Sequence, residues 1–257
     1  MSPAIIPEAP YEVFANPPLK AMLGQIRFPP ILKIADLGAL AAFQEQIRAQ
    51  WPQFQHEQQI NFLIEPGAPP QPAAPQSVFR FTSDDGAWSL VLAPDVVTLE
   101  AGVSAGYSSY ERFSERFGQA WQAVLDHFRP SAVTRQGLRY VDHIEGELPA
   151  AEWQRLINPE LLGPLTGTLA AGVLQAVSEY RFSRDDGLLV FKHGMVNAGL
   201  EQNPGYLLDF DYFTEETQSD VGIDALMRRF DRYHSATYNF FRWCVTDAAL
   251  EAFRGGD

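Results

Sequence analysis

The chain carries one cysteine, Cys244, in 257 residues. A single thiol excludes an intramolecular disulfide and any multi-cysteine zinc site, and it fits a reducing compartment, so a cytoplasmic protein is expected. Long hydrophobic runs are missing as well. The most nearly apolar stretch, residues 169–177, is far shorter than the roughly 20 residues needed to cross a bilayer. Residues 1–10 have neither the early positive charge nor the apolar run of a signal peptide. Positive charge is scarce throughout: 19 Lys and Arg stand against 32 Asp and Glu, a net charge of -13. That balance opposes generic binding to nucleic-acid phosphates or anionic lipid, and no Lys/Arg-rich run marks a basic groove. The expected partners are another protein or a second copy of the chain, with no nucleic acid and no membrane. Short catalytic signatures are absent too: there is no Walker loop, dinucleotide fingerprint, Gly-x-Ser-x-Gly elbow or His-Glu-x-x-His. The balance leans away from an enzyme, and no cofactor and no metal is expected.

What the chain does have is 46% hydrophobic residues, enough to bury a sizeable core. It also has a repeated stretch. Phe79-Arg80-Phe81-Thr82-Ser83-Asp84-Asp85-Gly86 recurs as Tyr180-Arg181-Phe182-Ser183-Arg184-Asp185-Asp186-Gly187, with five of eight positions identical. Each copy reads as an alternating strand running into an Asp-Gly turn, where positive φ angles suit a two-residue hairpin.

The five prolines of residues 1–20 predict an extended lead-in. A strand is expected over 23–34, with Pro29 and Pro30 at a bulge or edge. Asp36 is placed to cap a helix carrying Leu37, Leu40, Phe43 and Ile47 on one face and ending by Pro52. A short strand over 60–64 is followed by a proline-rich loop over 66–75, which no central strand could hold. The first hairpin and a strand over 96–101 come next. Ser108 and Glu111 have capping-box spacing before a helix whose Tyr110, Phe113, Phe117, Trp121, Val124 and Phe128 form one apolar face. The order then restarts: a strand at Gly137-Leu138-Arg139-Tyr140, a short helix over 150–157, a strand over 173–182, the second hairpin, a strand over 206–213, and a long helix from about Ser219 or Asp220. On that last helix Ile223, Leu226, Phe230, Tyr233, Thr237 and Phe241 share a face, and the helix continues or bends toward Phe253.

Arg27 aligns with Arg139, Arg80 with Arg181, and Phe117 with Phe230, in the same order along the chain. The fold class expected is α+β: two similar strand-helix-meander-helix halves, 21–130 and 131–257 after the extended segment 1–20. They would form a curved, mostly antiparallel sheet with long helices packed on one face.

Among polar groups, Arg139-Tyr140-Val141-Asp142-His143 is the densest cluster on a strand, with Arg139, Val141 and His143 expected on one face and Tyr140 and Asp142 on the other. Asp209 and Asp211 alternate with Phe210 and Tyr212 and share a face, an arrangement that suits metal or glycoside chemistry or an outward acidic stripe. His234 falls on the apolar face of the last helix, as a core or interface residue. His56 reads as a surface residue and His127 as a helix-terminus residue stabilised by the dipole. His193 has no paired ligand in sequence. Asp84, Asp85, Asp185 and Asp186 read as turn formers. Cys244 reads as buried and inert.

Several of these features resemble a sporadically distributed, uncharacterised bacterial protein family of about 250 residues. They are Trp88, Leu90 and Leu92 after the first turn, the helix start from Tyr110 to Phe117, Gly137-Leu138-Arg139-Tyr140, Asp209, Asp211 and His234. The resemblance implies no reaction, cofactor or catalytic residue. The duplicated order also resembles a TATA-binding-protein-like or helix-grip topology, which licenses no function by itself. A sheet lined by aromatic residues could hold a peptide or apolar ligand. The first expectation is a non-enzymatic interaction protein with a protein partner, as an accessory of a bacterial defence or mobile-element system. The alternatives are a small-ligand-binding protein with a cavity between sheet and helices, and a hydrolase drawing on Arg139, Asp142, His143, Asp209, Asp211 or His234.

Overall fold

The structure, a computed structural model, describes residues 6–59, 62–63, 71–72, 75–102, 109–146, 150–170, 172–196 and 204–255. In chain order it has β1 (Leu19–Arg27), α1 (Leu37–Ile47), β2 (Gln53–Gln59), β3 (Phe62–Leu63), β4 (Gln71–Pro72), β5 (Gln76–Thr82), β6 (Trp88–Ala93) and β7 (Val96–Gly102). Helix α2 (Tyr110–Phe128) leads to β8 (Arg135–Glu145), α3 (Pro159–Leu162), β9 (Ala176–Arg184), β10 (Gly187–Val196), β11 (Gly205–Thr214), α4 (Ile223–Cys244) and α5 (Asp247–Phe253). Nine strands form one antiparallel sheet in the order β2-β5-β6-β7-β1-β8-β11-β10-β9, and β3 pairs with β4 apart from it. The α+β class is therefore as expected. Outward from the central pair of β1 and β8, each side runs through a three-stranded meander.

Local chemistry sets most boundaries. Asp36 caps α1 as expected, its Oδ1 accepting the Ala39 N–H at 2.9 Å. Helix α2 is capped one residue later than the spacing suggests: Ser109 accepts the Arg112 N–H, and Ser108 lies outside the described residues. Its end is set by Arg129, the one described non-glycine residue at positive φ, 51°. Helix α4 starts at Ile223 rather than 219–220, and Asp220 accepts the Gly222 N–H just before it. The helix is interrupted at Val245 and Thr246, and the Thr246 Oγ1 accepts the Ala249 N–H to open α5 as a separate helix.

Other expectations need correction. Strand β1 begins at Leu19 and stops at Arg27, so Pro29 and Pro30 end it instead of bulging it, and it is central rather than an edge. The segment 150–157 holds a 3-10 helix over Ala150–Arg155. Most of 66–75 lies outside the described residues, although Gln71–Pro72 forms β4. Strand β2 was not anticipated: Gln53–Gln59 is exposed along its whole length and has no hydrophobic alternation to reveal it.

The two Asp-Gly hairpins also differ. In the first, Ser83 N–H donates to Trp88 O and Gly86 takes φ 69° within a four-residue connection. In the second, Arg184 pairs directly with Gly187, so Asp185 and Asp186 make the turn and the glycine opens β10. Asp85 is a turn former as expected, accepting from Ser83 Oγ and Ala87 N. Asp186 does more, accepting from Tyr212 OH and from Arg232 Nε on α4.

Strand alternation divides the side chains between two faces. Met22, Gly24 and Ile26 of β1 lie opposite Tyr140, Leu138 and Gln136 of β8 and are buried. Onto this face α2 brings Phe113 so closely to Gly24 that an added Cβ would sit 2.7 Å from its ring. Trp88, Leu90, Leu92, Phe191, Phe210 and Tyr212 share it. These aromatic residues pack inward, and the opposite face is a lattice of ions with Phe213 beneath Arg135. Arg80 bridges Glu57 and Glu100, Lys192 and Arg181 flank Glu179, and Arg135 and Arg139 meet Asp211 and Asp209. An aromatic-lined sheet surface for a peptide is therefore not what this fold presents.

Candidate functional site

Strand register settles which of the sequence candidates meet. Arg139 and Asp209 form a two-pronged ion pair, Nε to Oδ1 and Nη2 to Oδ2 both at 2.8 Å. Asp209 raises the Arg139 guanidinium further above its ordinary value against the opposing pull of burial. Asp211 takes Arg135 at 3.2 Å, and burial raises its carboxyl while the two arginines oppose that shift. The guanidinium of Arg135 also lies 4.4 Å over the Phe213 ring. These groups satisfy one another across the sheet, which is a structural arrangement.

His143 shares this face but lies four residues along β8 from Arg139, about 13 Å at strand spacing. Burial, with Lys20 second, lowers its pKa. Asp142 and His234 are on the helix side of the sheet. Arg139, Asp142 and His143 therefore do not converge, despite being adjacent in sequence. The remaining histidines have local partners: His127 with Gln46 at 2.7 Å, His56 with Ser77 at 3.2 Å, and His193 with Tyr206 OH at 2.8 Å. Cys244 is free and fully buried, and burial raises its thiol well above the ordinary range.

The helix side holds a different constellation. Tyr140 OH on β8 lies 2.7 Å from His234 Nδ1 on α4, and the imidazole stacks on Tyr110 with ring centroids 3.9 Å apart. Enclosure in these rings pushes the His234 pKa down to about 4, so it is neutral at pH 7. Two positions along β8, Asp142 is 6% exposed. Burial, with the Asp209 charge behind it second, pushes its carboxyl up to about 8, and no cation or donor among the described residues pulls it back. One turn along α4 from Tyr233, the Thr237 hydroxyl is buried with no hydrogen-bond partner among the described residues.

Asp142, Thr237, Tyr140 and His234 line one cavity of about 430 Å³. Its outer wall is the N-terminal segment, where Tyr11, Phe14 and Pro18 contribute. This segment is strapped across α4 and α5. Ala9 N–H donates to Asn239 Oδ1 at 3.0 Å, Glu12 N–H to Tyr238 OH at 3.0 Å, and Asn16 N–H to Phe253 O at 2.8 Å. The carboxylate of Glu12 takes both Arg254 nitrogens, at 2.6 and 2.7 Å, and the Arg254 pair holds its pKa below the usual range. Strand β8 closes the other end, His143 N–H donating to Pro18 O at 2.8 Å.

Sequence reasoning singled out Asp142 and His234 but not the residues that make them a site. Thr237 carried a signal in hindsight: it is the one aliphatic hydroxyl residue on an otherwise apolar or aromatic helical face. Tyr11 carried none, because only folding brings the N-terminal segment beside α4. No family model matches the chain, and no curated protein matches it significantly.

Proposed function

We propose that the protein is a non-enzymatic binder of a small molecule, held in the cavity between β8, α4 and the N-terminal strap. The observation that carries this is the buried Asp142 carboxyl, without a hydrogen-bond partner among the described residues, in a cavity walled by aromatic rings and Thr237. A buried polar group without a partner costs stability, so the Asp142 carboxyl at this cavity suits a ligand that completes it. The volume, about 430 Å³, falls within the range of small-molecule sites. A ligand-observed NMR screen of a fragment library against wild type and Thr237→Leu tests the reading. Hits that vanish in the variant support it, and hits indifferent to the substitution contradict it.

A second reading concerns partners. Strand β9 ends the sheet and pairs on one side only among the described residues, with Val177 and Tyr180 exposed. Antiparallel pairing of two copies about Tyr180 would set Glu179 of each against Arg181 of the other, a self-complementary edge. Sedimentation at rising protein concentration tests it: dimers lost in Glu179→Arg support the edge, and a monomer throughout contradicts it.

The fold also supports the duplication inferred from sequence, as part of this proposal. A three-stranded meander lies outward of both β1 and β8, with β2 as an added edge on the first side, and the rings of the aligned residues Phe117 and Phe230 have centroids 5.0 Å apart where α2 meets α4. Membership of the uncharacterised bacterial family, with a TATA-binding-protein-like or helix-grip arrangement, is proposed on the sequence resemblance alone.

A further inference from the structure

We infer that the cavity takes an organic ammonium, a primary or secondary amine carried on a small apolar or aromatic body. The inference rests on the reading of the cavity as a ligand site and adds its chemical class. Charge decides first. No lysine or arginine lines the cavity among the described residues, while Asp142 and Glu12 do. Glu12 is already engaged by Arg254 and Arg242, which leaves the Asp142 carboxyl for a ligand. An anion would find no cation in the lining among the described residues, and burying it unpaired beside the ionised Glu12 is costly.

Hydrogen bonding decides next. A purely apolar ligand would leave Asp142 without a partner, whereas an ammonium N–H donates to its carboxylate. The walls fit the same class. Tyr11, Tyr140, Tyr238, Phe14 and Phe241 surround the space, and the faces of aromatic rings attract cations. His234, neutral and bonded to Tyr140, adds no competing positive charge. The buried carboxyl is protonated at pH 7 when the cavity is empty; an arriving ammonium lets it ionise with release of its proton to solvent, or an arriving free amine takes that proton itself.

Three probes of one shape separate the possibilities: phenethylammonium, 2-phenylethanol and phenylacetate, titrated into wild type, Asp142→Asn and Thr237→Val at pH 7 and followed by chemical-shift changes at cavity residues. The inference expects phenethylammonium to bind at least tenfold more tightly than the alcohol, phenylacetate not to bind, and Asp142→Asn to erase the preference. Thr237→Val should weaken the ammonium less than Asp142→Asn does, and thermal unfolding of both variants confirms that they fold. Equal binding of ammonium and alcohol in wild type, or an ammonium preference that survives in Asp142→Asn, overturns the ammonium assignment and leaves the cavity reading standing. No shift at any cavity residue with any probe overturns both.

Discussion

The Tyr140 hydroxyl on β8 and the His234 imidazole on α4 meet at 2.7 Å, fastening the central sheet to the longest helix at the edge of the cavity. On one side His234 stacks on Tyr110 of α2; on the other, Tyr11 of the strap approaches it edge-on, with centroids 5.1 Å apart. One imidazole thus touches the sheet, both long helices and the strap. Four consequences can be measured.

Thr237→Val should stabilise the empty protein. The substitution keeps the side-chain shape and removes a buried hydroxyl that has no partner among the described residues, a gain of about 1–2 kcal/mol. For a chain of this size that raises Tm by roughly 2–8 °C. Because that oxygen is sealed from the cavity, fragment affinity should stay close to wild type. Scanning calorimetry with and without a bound fragment checks both.

Asp142 should give the protein an inverted acid response. Its carboxyl is pushed up to about 8 by burial, whereas the unfolded chain titrates near the ordinary carboxylate value. Between about pH 4 and pH 8 the folded chain holds a proton that the unfolded chain has lost, so this group makes stability fall as pH rises through that window. Asp142→Asn removes the slope. Relative to wild type, the variant should gain stability from pH 4 to 8, by on the order of 5 kcal/mol, in urea midpoints measured at stepped pH.

His234 works in the opposite sense. With its folded pKa pushed down to about 4, it stays neutral while the unfolded chain takes up a proton below about 6.5. Its contribution is complete above pH 6.5 and is lost as pH falls toward 4, about 3 kcal/mol in all. His193, also pushed down to about 4 by burial, acts in the same direction. His234→Gln should flatten the acid limb of the stability profile, and His234→Gln with His193→Gln should flatten it further.

Gly24→Val should destabilise without touching the cavity. The Cβ would lie 2.7 Å from Phe113 Cζ and 3.0 Å from Cε1, in a ring that is fully buried. Overpacking of this kind costs about 1–3 kcal/mol. A lower denaturation midpoint with unchanged fragment affinity is the expected pair of results.

The parts of this fold that could be read ahead were those written in local chemistry. Asp36 announced α1 by its capping oxygen, and the spacing of Phe113, Phe117 and Trp121 announced the buried face of α2. Alternation placed Asp209 beside Asp211 and separated Asp142 from its neighbours Arg139 and His143. Strand β2 escaped because Gln53–Gln59 is an edge with no buried side, so nothing in its composition alternates. The cavity escaped for another reason. Its walls come from Tyr11, Tyr140 and Thr237, residues far apart along the chain that antiparallel pairing and the strap bring together. The two Asp-Asp-Gly turns look alike in sequence yet diverge in the fold, since Arg232 and Tyr212 draw Asp186 into contacts that Asp85 lacks.

The central claim is that the space between β8, α4 and the strap is a ligand site, and methyl NMR addresses it directly. Val13, Leu19 and Thr237 line the cavity, while Val177 and Leu174 are exposed and outside its lining. Titration of the strongest fragment hit should shift the first three methyls together, on one saturation curve, and leave the last two unmoved. Shifts confined to Val177 and Leu174, or scattered without saturation, would contradict it.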